Sequence, residues 1–257
     1  MGRRLTGEEK RRIIEEGQRK LEAEIEAHPE RFDPVWLRKR NESMAAARQL
    51  EQRLREAGIP IQSLDDFERG IPTEVYYRAI PVLIEALRDP ELLPIKVWVI
   101  EALDVKFARA QVVPVLIEEF QRIEIPRDMS AVPDGDERWQ RRLEKMQIAD
   151  VLGRRATRDV LPQIVALTQI VALIQDARHG DARFPLLDAL VRLKPPNAAE
   201  ILLPLLADEQ LTQSVIRALG RLRVREAAPL IRPFLEHPDR LMRTVAQKAL
   251  QRIAEVE

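Results

Sequence analysis

The 257-residue chain contains no cysteine, which excludes disulfides, thiolate zinc sites, iron–sulfur clusters and cysteine nucleophiles. Aromatic residues are only 4% of the chain, so Leu, Ile, Val and Ala must build the core. Nine glycines are too few for a turn-rich β protein. No run of apolar residues approaches the eighteen or more of a membrane span. Met1-Gly2-Arg3-Arg4-Leu5 leads into charges instead of an apolar segment, so no secretory leader is expected and the expected setting is cytoplasmic. Neither sign of charge is in excess, with 42 basic and 42 acidic side chains, which disfavours a dedicated nucleic-acid binder. The balance nevertheless hides a gradient. Residues 73–150 carry 11 basic and 15 acidic side chains, and residues 151–257 carry 16 and 12.

What is abundant is helix-forming: charged residues are 33% of the chain and apolar ones 45%. The sequence therefore predicts an all-α protein, with an N-terminal helical extension over 1–72 and a repeat domain over 73–257. In the extension, Thr6-Gly7-Glu8-Glu9 has capping-box spacing and opens a helix with a narrow stripe of Ile14, Leu21 and Ile25. Asp33-Pro34 opens a second helix, which Gly58 stops; Trp36, Leu37, Met44, Ala47, Leu50 and Leu54 are its expected buried side. A short helix over 63–69 and Gly70-Ile71-Pro72 make the join.

From Thr73 the sequence repeats itself. Ala79-Ile80-Pro81-Val82-Leu83 has counterparts around Pro114, Pro162, Glu200 and Pro229. A second helix follows each, ending on a shared leucine: Leu103, Leu152, Leu190, Leu219 and Leu250. From each of these leucines to the next anchor the offset is 11, 10, 10 and 10 residues, which stacked identical units require. The second repeat inserts residues 125–136 as a Pro/Asp-rich loop. The third lengthens its first helix, from Asp159 to about Ala177, before the turn His179-Gly180-Asp181.

Ala218-Leu219-Gly220-Arg221-Leu222 through Pro229-Leu230, and Val151-Leu152-Gly153-Arg154 through Pro162, resemble HEAT repeats, in particular the short HEAT-like repeats first associated with phycobilisome lyases. The resemblance spans roughly 70% of the chain and implies an α-solenoid of about five helix pairs with a concave face lined by the second helices. Fold likeness says little about activity. The leading expectation is a non-catalytic scaffold that binds a protein or an acidic peptide segment. One rival is a HEAT-like nucleic-acid binder or DNA glycosylase; a second, resting on the repeat subtype, is a bilin-lyase-like chromophore chaperone.

Residues for chemistry are sparse. His28, His179 and His237 have no second histidine at helical spacing, and no His-Glu dipeptide exists of the sort that holds iron in deoxyhypusine hydroxylase. No phosphate loop and no nucleophile elbow is present, so no cofactor, metal or catalytic residue is assigned. One column stands out. Two residues after the shared leucine lie Arg154, Arg192, Arg221 and Arg252, with Val105 in the first repeat and Arg155, Arg158, Arg223 and Arg225 alongside. The row can serve as a basic stripe for an acidic partner, or can bond acids of the neighbouring repeat. Trp139, beside the inserted loop, is a further candidate contact, while Trp98 is expected in the core.

Overall fold

The computed structural model describes residues 7–125, 132–133, 136–155 and 163–255. Among them every regular element is helical, and no helix is long and apolar enough to cross a membrane. Two compact units divide inside the second helix, Met1–Ala45 and Ala46–Glu257.

The first unit holds α1 (Gly7–Ala27) and the start of α2 (Pro34–Glu56). Asp33 Oδ1 accepts the backbone N–H groups of Val35 and Trp36 at 2.7 and 2.9 Å, satisfying two of the orphan donors that every helix start carries. Trp36, expected on the buried side, is instead 42% exposed and stacks on Phe32 with centroids 5.7 Å apart. Ile13 and Leu21 are exposed too. Two narrow stripes enclose too little volume to remove a bulky ring from water. Thr6 and the side chains of Glu9 and Ile14, parts of the expected cap and stripe, lie outside the described residues.

In the second unit the remainder of α2 buries Ala46, Leu50 and Leu54, and Gly58 ends the helix at φ 75°. A short α3 (Asp65–Arg69) follows. The next ten helices form five pairs in chain order: α4 (Thr73–Arg88) with α5 (Lys96–Leu103), α6 (Arg109–Arg122) with α7 (Glu137–Arg155), α8 (Gln163–Gln175) with α9 (Phe184–Leu193), α10 (Ala198–Leu202) with α11 (Thr212–Leu222), and α12 (Ala228–Ile231) with α13 (Arg240–Ala254). The second members also touch in succession: α5 packs on α7, α7 on α9, α9 on α11, and α11 on α13. Leu103, Leu152, Leu190 and Leu219 are fully buried in one core, and Leu250 is half-buried against it. Most of the 125–136 insertion and the expected start of the third pair, 159–162, lie outside the described residues.

Proline shapes the first members. Pro81 and Pro114 sit inside α4 and α6. In the last two pairs the chain instead tightens into 3-10 turns, Leu203–Ala207 and Arg232–Glu236, at Pro204 and Pro233. A proline has no N–H to continue the α ladder, which favours the change of pitch. The turn inside four of the five pairs reuses one device: the side chain at the end of the first member accepts the N–H two residues on. Asp89 takes that of Glu91, Asp176 that of Arg178 and Asp208 that of Gln210. In the last pair His237 Nδ1 does the same for Asp239 N at 3.1 Å. Gly180, at φ 54°, makes the turn predicted at His179-Gly180-Asp181.

Two glycines mark where second members meet most closely. A Cβ on Gly153 would lie 2.5 Å from the Pro185 carbonyl oxygen, and one on Gly220 would lie 2.6 Å from Ala249 Cα. Pro185 is five residues before Leu190 and Ala249 one before Leu250, so the two steps are offset along the helix by about one turn.

Candidate functional site

Arg154, Arg192 and Arg221 lie close enough to feel one another's charge, and they differ in partner. Arg154 on α7 donates to Asp104 at the end of α5 at 3.0 Å and to Asp150 one turn back on its own helix. Arg155 also bonds the Asp104 carboxylate, and donates to the Asp104 carbonyl oxygen at 3.0 Å. Arg221 on α11 reaches back to Asp188 on α9. The contacts to Asp104 and Asp188 join the second helix of one pair to that of the pair before it. Arg192, on α9 between them, is exposed and has no hydrogen-bonding or ion-pair partner among the described residues. Partial desolvation of its guanidinium and the charges of Arg221, Arg154 and Arg155 hold it below the usual arginine value, against the opposing effect of Asp188. Arg154, Arg155, Arg192 and Arg221 thus share one field with Asp104, Asp150 and Asp188. Arg158 lies outside the described residues.

Two residues before each shared leucine runs a second column, which sequence reading overlooked: Glu101, Asp150, Asp188, Arg217 and Lys248. Its sign changes between α9 and α11. Positions four apart lie on one helix face, so an acid there answers the arginine of the first column. Asp150 does so for Arg154, Asp188 instead bonds Arg221 of the next pair, and Glu101 accepts from Gln147 at 3.2 Å. On α11 and α13 the same spacing places Arg217 beside Arg221 and Lys248 beside Arg252. Arg217, Lys248 and Arg252 are exposed and have no ion-pair partner among the described residues. The signal was legible as a list of residues at one repeat position; attention to the arginines alone hid it.

Next to this face, a recess of about 590 Å³ is bordered by Lys194, Arg221, Arg223 and Glu226 with Pro195 and Pro196. Lys194 and Arg223 end α9 and α11 in the left-handed region, at φ 46° and 58°. That conformation disfavours a side-chain-bearing residue, yet their backbone N–H groups close the helix ends on Leu190 O and Gly220 O at 3.0 and 3.2 Å. Their positive charge complements the negative end of each helix. Trp139 is half-buried in the first turn of α7, behind Asp136, whose carboxylate accepts the Arg138 N–H at 2.8 Å. Trp98 packs against the core, edge-on to Phe67 at 5.6 Å.

The interior of the second pair holds charge that sequence reading did not expect. Glu144 and Lys145 on α7 are each 1% exposed. Glu144 lies 3.3 Å from Lys96 of α5, and neither of its oxygens has a hydrogen-bond partner among the described residues. Burial pushes its carboxyl up, against the pull of Lys96. Lys145 Nζ donates to Ile123 O at 2.5 Å, meets His179 Nδ1 at 2.8 Å, and lies 4.7 Å from the centroid of the Phe120 ring. Burial lowers Lys145 to about 8, and burial with the Lys145 charge lowers His179 to about 4. Lys145, Ile148, Ala149 and Leu152 lie on one helical stripe, so a lysine in an otherwise apolar stripe was the available clue.

Comparison with protein-family models, with curated proteins and with solved structures finds no match.

Proposed function

We propose that the chain is a HEAT-like α-solenoid scaffold without catalytic chemistry on its arginine face, and that α11 and α13 hold an acidic protein segment there. The succession of five helix pairs, with each second member packed on the next, supports the solenoid reading. The observation that carries the binding reading is the sign change in the second column. Like charges four residues apart cost a helix about 0.2–0.5 kcal/mol per pair. Arg217 with Arg221 and Lys248 with Arg252 accept that cost where Asp150 and Asp188 avoid it. Arg192 extends the same surface, whereas Arg154 and Arg221 are engaged by aspartates. A protein segment is favoured over duplex nucleic acid because the cationic face is short and the chain as a whole carries no net charge.

The test uses a fluorescent Glu/Asp-rich peptide and, separately, a duplex oligonucleotide. The protein should bind the peptide with an affinity that falls as salt rises. The triple variant Arg217→Glu, Lys248→Glu, Arg252→Glu should lose at least about tenfold in affinity without melting at a lower temperature. Equal peptide binding by the variant would refute the reading. Tighter binding of the duplex, with a steep salt slope, would replace it with the nucleic-acid alternative.

A further inference from the structure

The recess beside the second pair is a different kind of site from the charged face. It has a volume of about 340 Å³ and is lined by Gln121, Ile123, Glu124, Ile125 and Arg178, with Lys145 and His179 in its wall. We propose that Lys145 is a nucleophilic amine that condenses with a small aldehyde or ketone entering this recess. Three features of the geometry lead there. The ammonium has three hydrogens but, among the described residues, two hydrogen-bond acceptors, Ile123 O and His179 Nδ1, and it also lies over the Phe120 ring. The neutral amine satisfies the same two acceptors with its two hydrogens and keeps a lone pair. Finally, at 1% exposure Lys145 admits only a small electrophile.

His179 is a positioning residue. To accept from Lys145 its Nδ1 must be unprotonated, which places the ring proton on Nε2, facing Asp176 at 3.6 Å. Asp176 is itself forked by Arg178 at 2.7 and 3.0 Å, so the acid, the imidazole and the amine form a chain into the recess. Around the amine, Asp176 and Glu124 favour its charged form, while burial and Arg178 favour the neutral one. The lowered value of about 8 leaves roughly one-tenth of the amine neutral at pH 7, several hundred times more than for an ordinary exposed lysine. In the reaction the Nζ lone pair attacks the carbonyl carbon, the oxygen takes a proton from water, and the nitrogen returns one of its protons to the hydroxide left behind. The resulting carbinolamine loses its hydroxyl together with the remaining N–H proton as water as the C=N bond forms. Amine and carbonyl thus give imine and one water, with no oxidant or reductant.

Reductive trapping tests this on the full chain. The protein is incubated with propionaldehyde and cyanoborohydride, and each of its eight lysines is followed by peptide mass mapping. Lys145 should be labelled fastest at pH 7, with a rate that rises with pH, passes half its plateau near pH 8 and levels off by about pH 9. Pre-loading the protein with acetone should slow that labelling, since a second carbonyl competes for the amine. Lys145→Arg, which keeps a cation for the Ile123 carbonyl, should abolish the fast phase and leave Lys248 labelled as before. Labelling of Lys145 no faster than that of exposed Lys248, or a rate still climbing through pH 10, would overturn the proposal and leave Lys145 as a cap on the end of α6.

Discussion

The helices α7 and α11 occupy the same place in their pairs and solve the same packing problem in opposite ways. α11 buries Val215, Ile216, Ala218, Leu219 and Gly220 and keeps its arginines outside. α7 buries Glu144 and Lys145 beside Ile148, Ala149, Val151 and Leu152, and neutralises its external arginines with aspartates. In α11 no charge is buried, Arg221 is tethered to Asp188 and Arg217 is exposed without an ion-pair partner among the described residues; in α7 charge lies inside and the external arginines meet aspartates. The contrast teaches that a shared repeat fixes which positions face inward without fixing what chemistry fills them. Where charge is enclosed, the energetics depend on its partner. Where charge is left outside without a partner, the gain must come from something it meets.

The largest effect expected from this contrast lies inside α7. Glu144→Leu should cost about 3–5 kcal/mol in denaturant unfolding, because it strands Lys96, itself 6% exposed, without a counter-charge. Combining it with Lys96→Met should recover most of that loss. A double variant as unstable as the single one would mean that shape, not charge, is at stake. Next comes the apolar side of the comparison. Leu219→Ala should cost about 2–5 kcal/mol, as it empties a fully buried position between two pairs. Leu250→Ala should cost less, since Leu250 is only half-buried and the last pair packs on one side. Equal losses would contradict a linear succession of pairs. The smallest effect is outside. Arg217→Glu should raise stability by about 0.5 kcal/mol by exchanging repulsion from Arg221 for attraction, while weakening acidic-peptide binding. A loss of stability instead would reveal a structural partner for Arg217.

Much of this was legible in the sequence where the apolar period is clean. The five shared leucines, the stop at Gly58, the start at Asp33-Pro34 and the Gly180 turn follow from local rules that tertiary packing did not override. The exposed Trp36 was not legible, because a stripe on one helix says nothing of whether enough surface exists to cover it. The arginine column was visible, but its division into tethered and unpartnered members was not. That depends on which acid faces each guanidinium across a helix–helix step, a relation between residues as far apart as Asp104 and Arg154. Lys145 and His179 are 34 positions apart, and only the turn of the third pair brings the imidazole onto α7.

The two glycine contacts bear on how such a chain can grow or shrink. The residue after the shared leucine is Asp104, Gly153, Val191, Gly220 and Gln251 in the five pairs. Excising the fourth pair would set α9 against α13 and bring Val191 to the place where even a bare Cβ lies 2.6 Å from Ala249 Cα. A branched side chain there must push the helices apart. The units are therefore not interchangeable beads: their order is written into which neighbours tolerate contact, and duplication or loss of a pair demands a compensating change at the new seam.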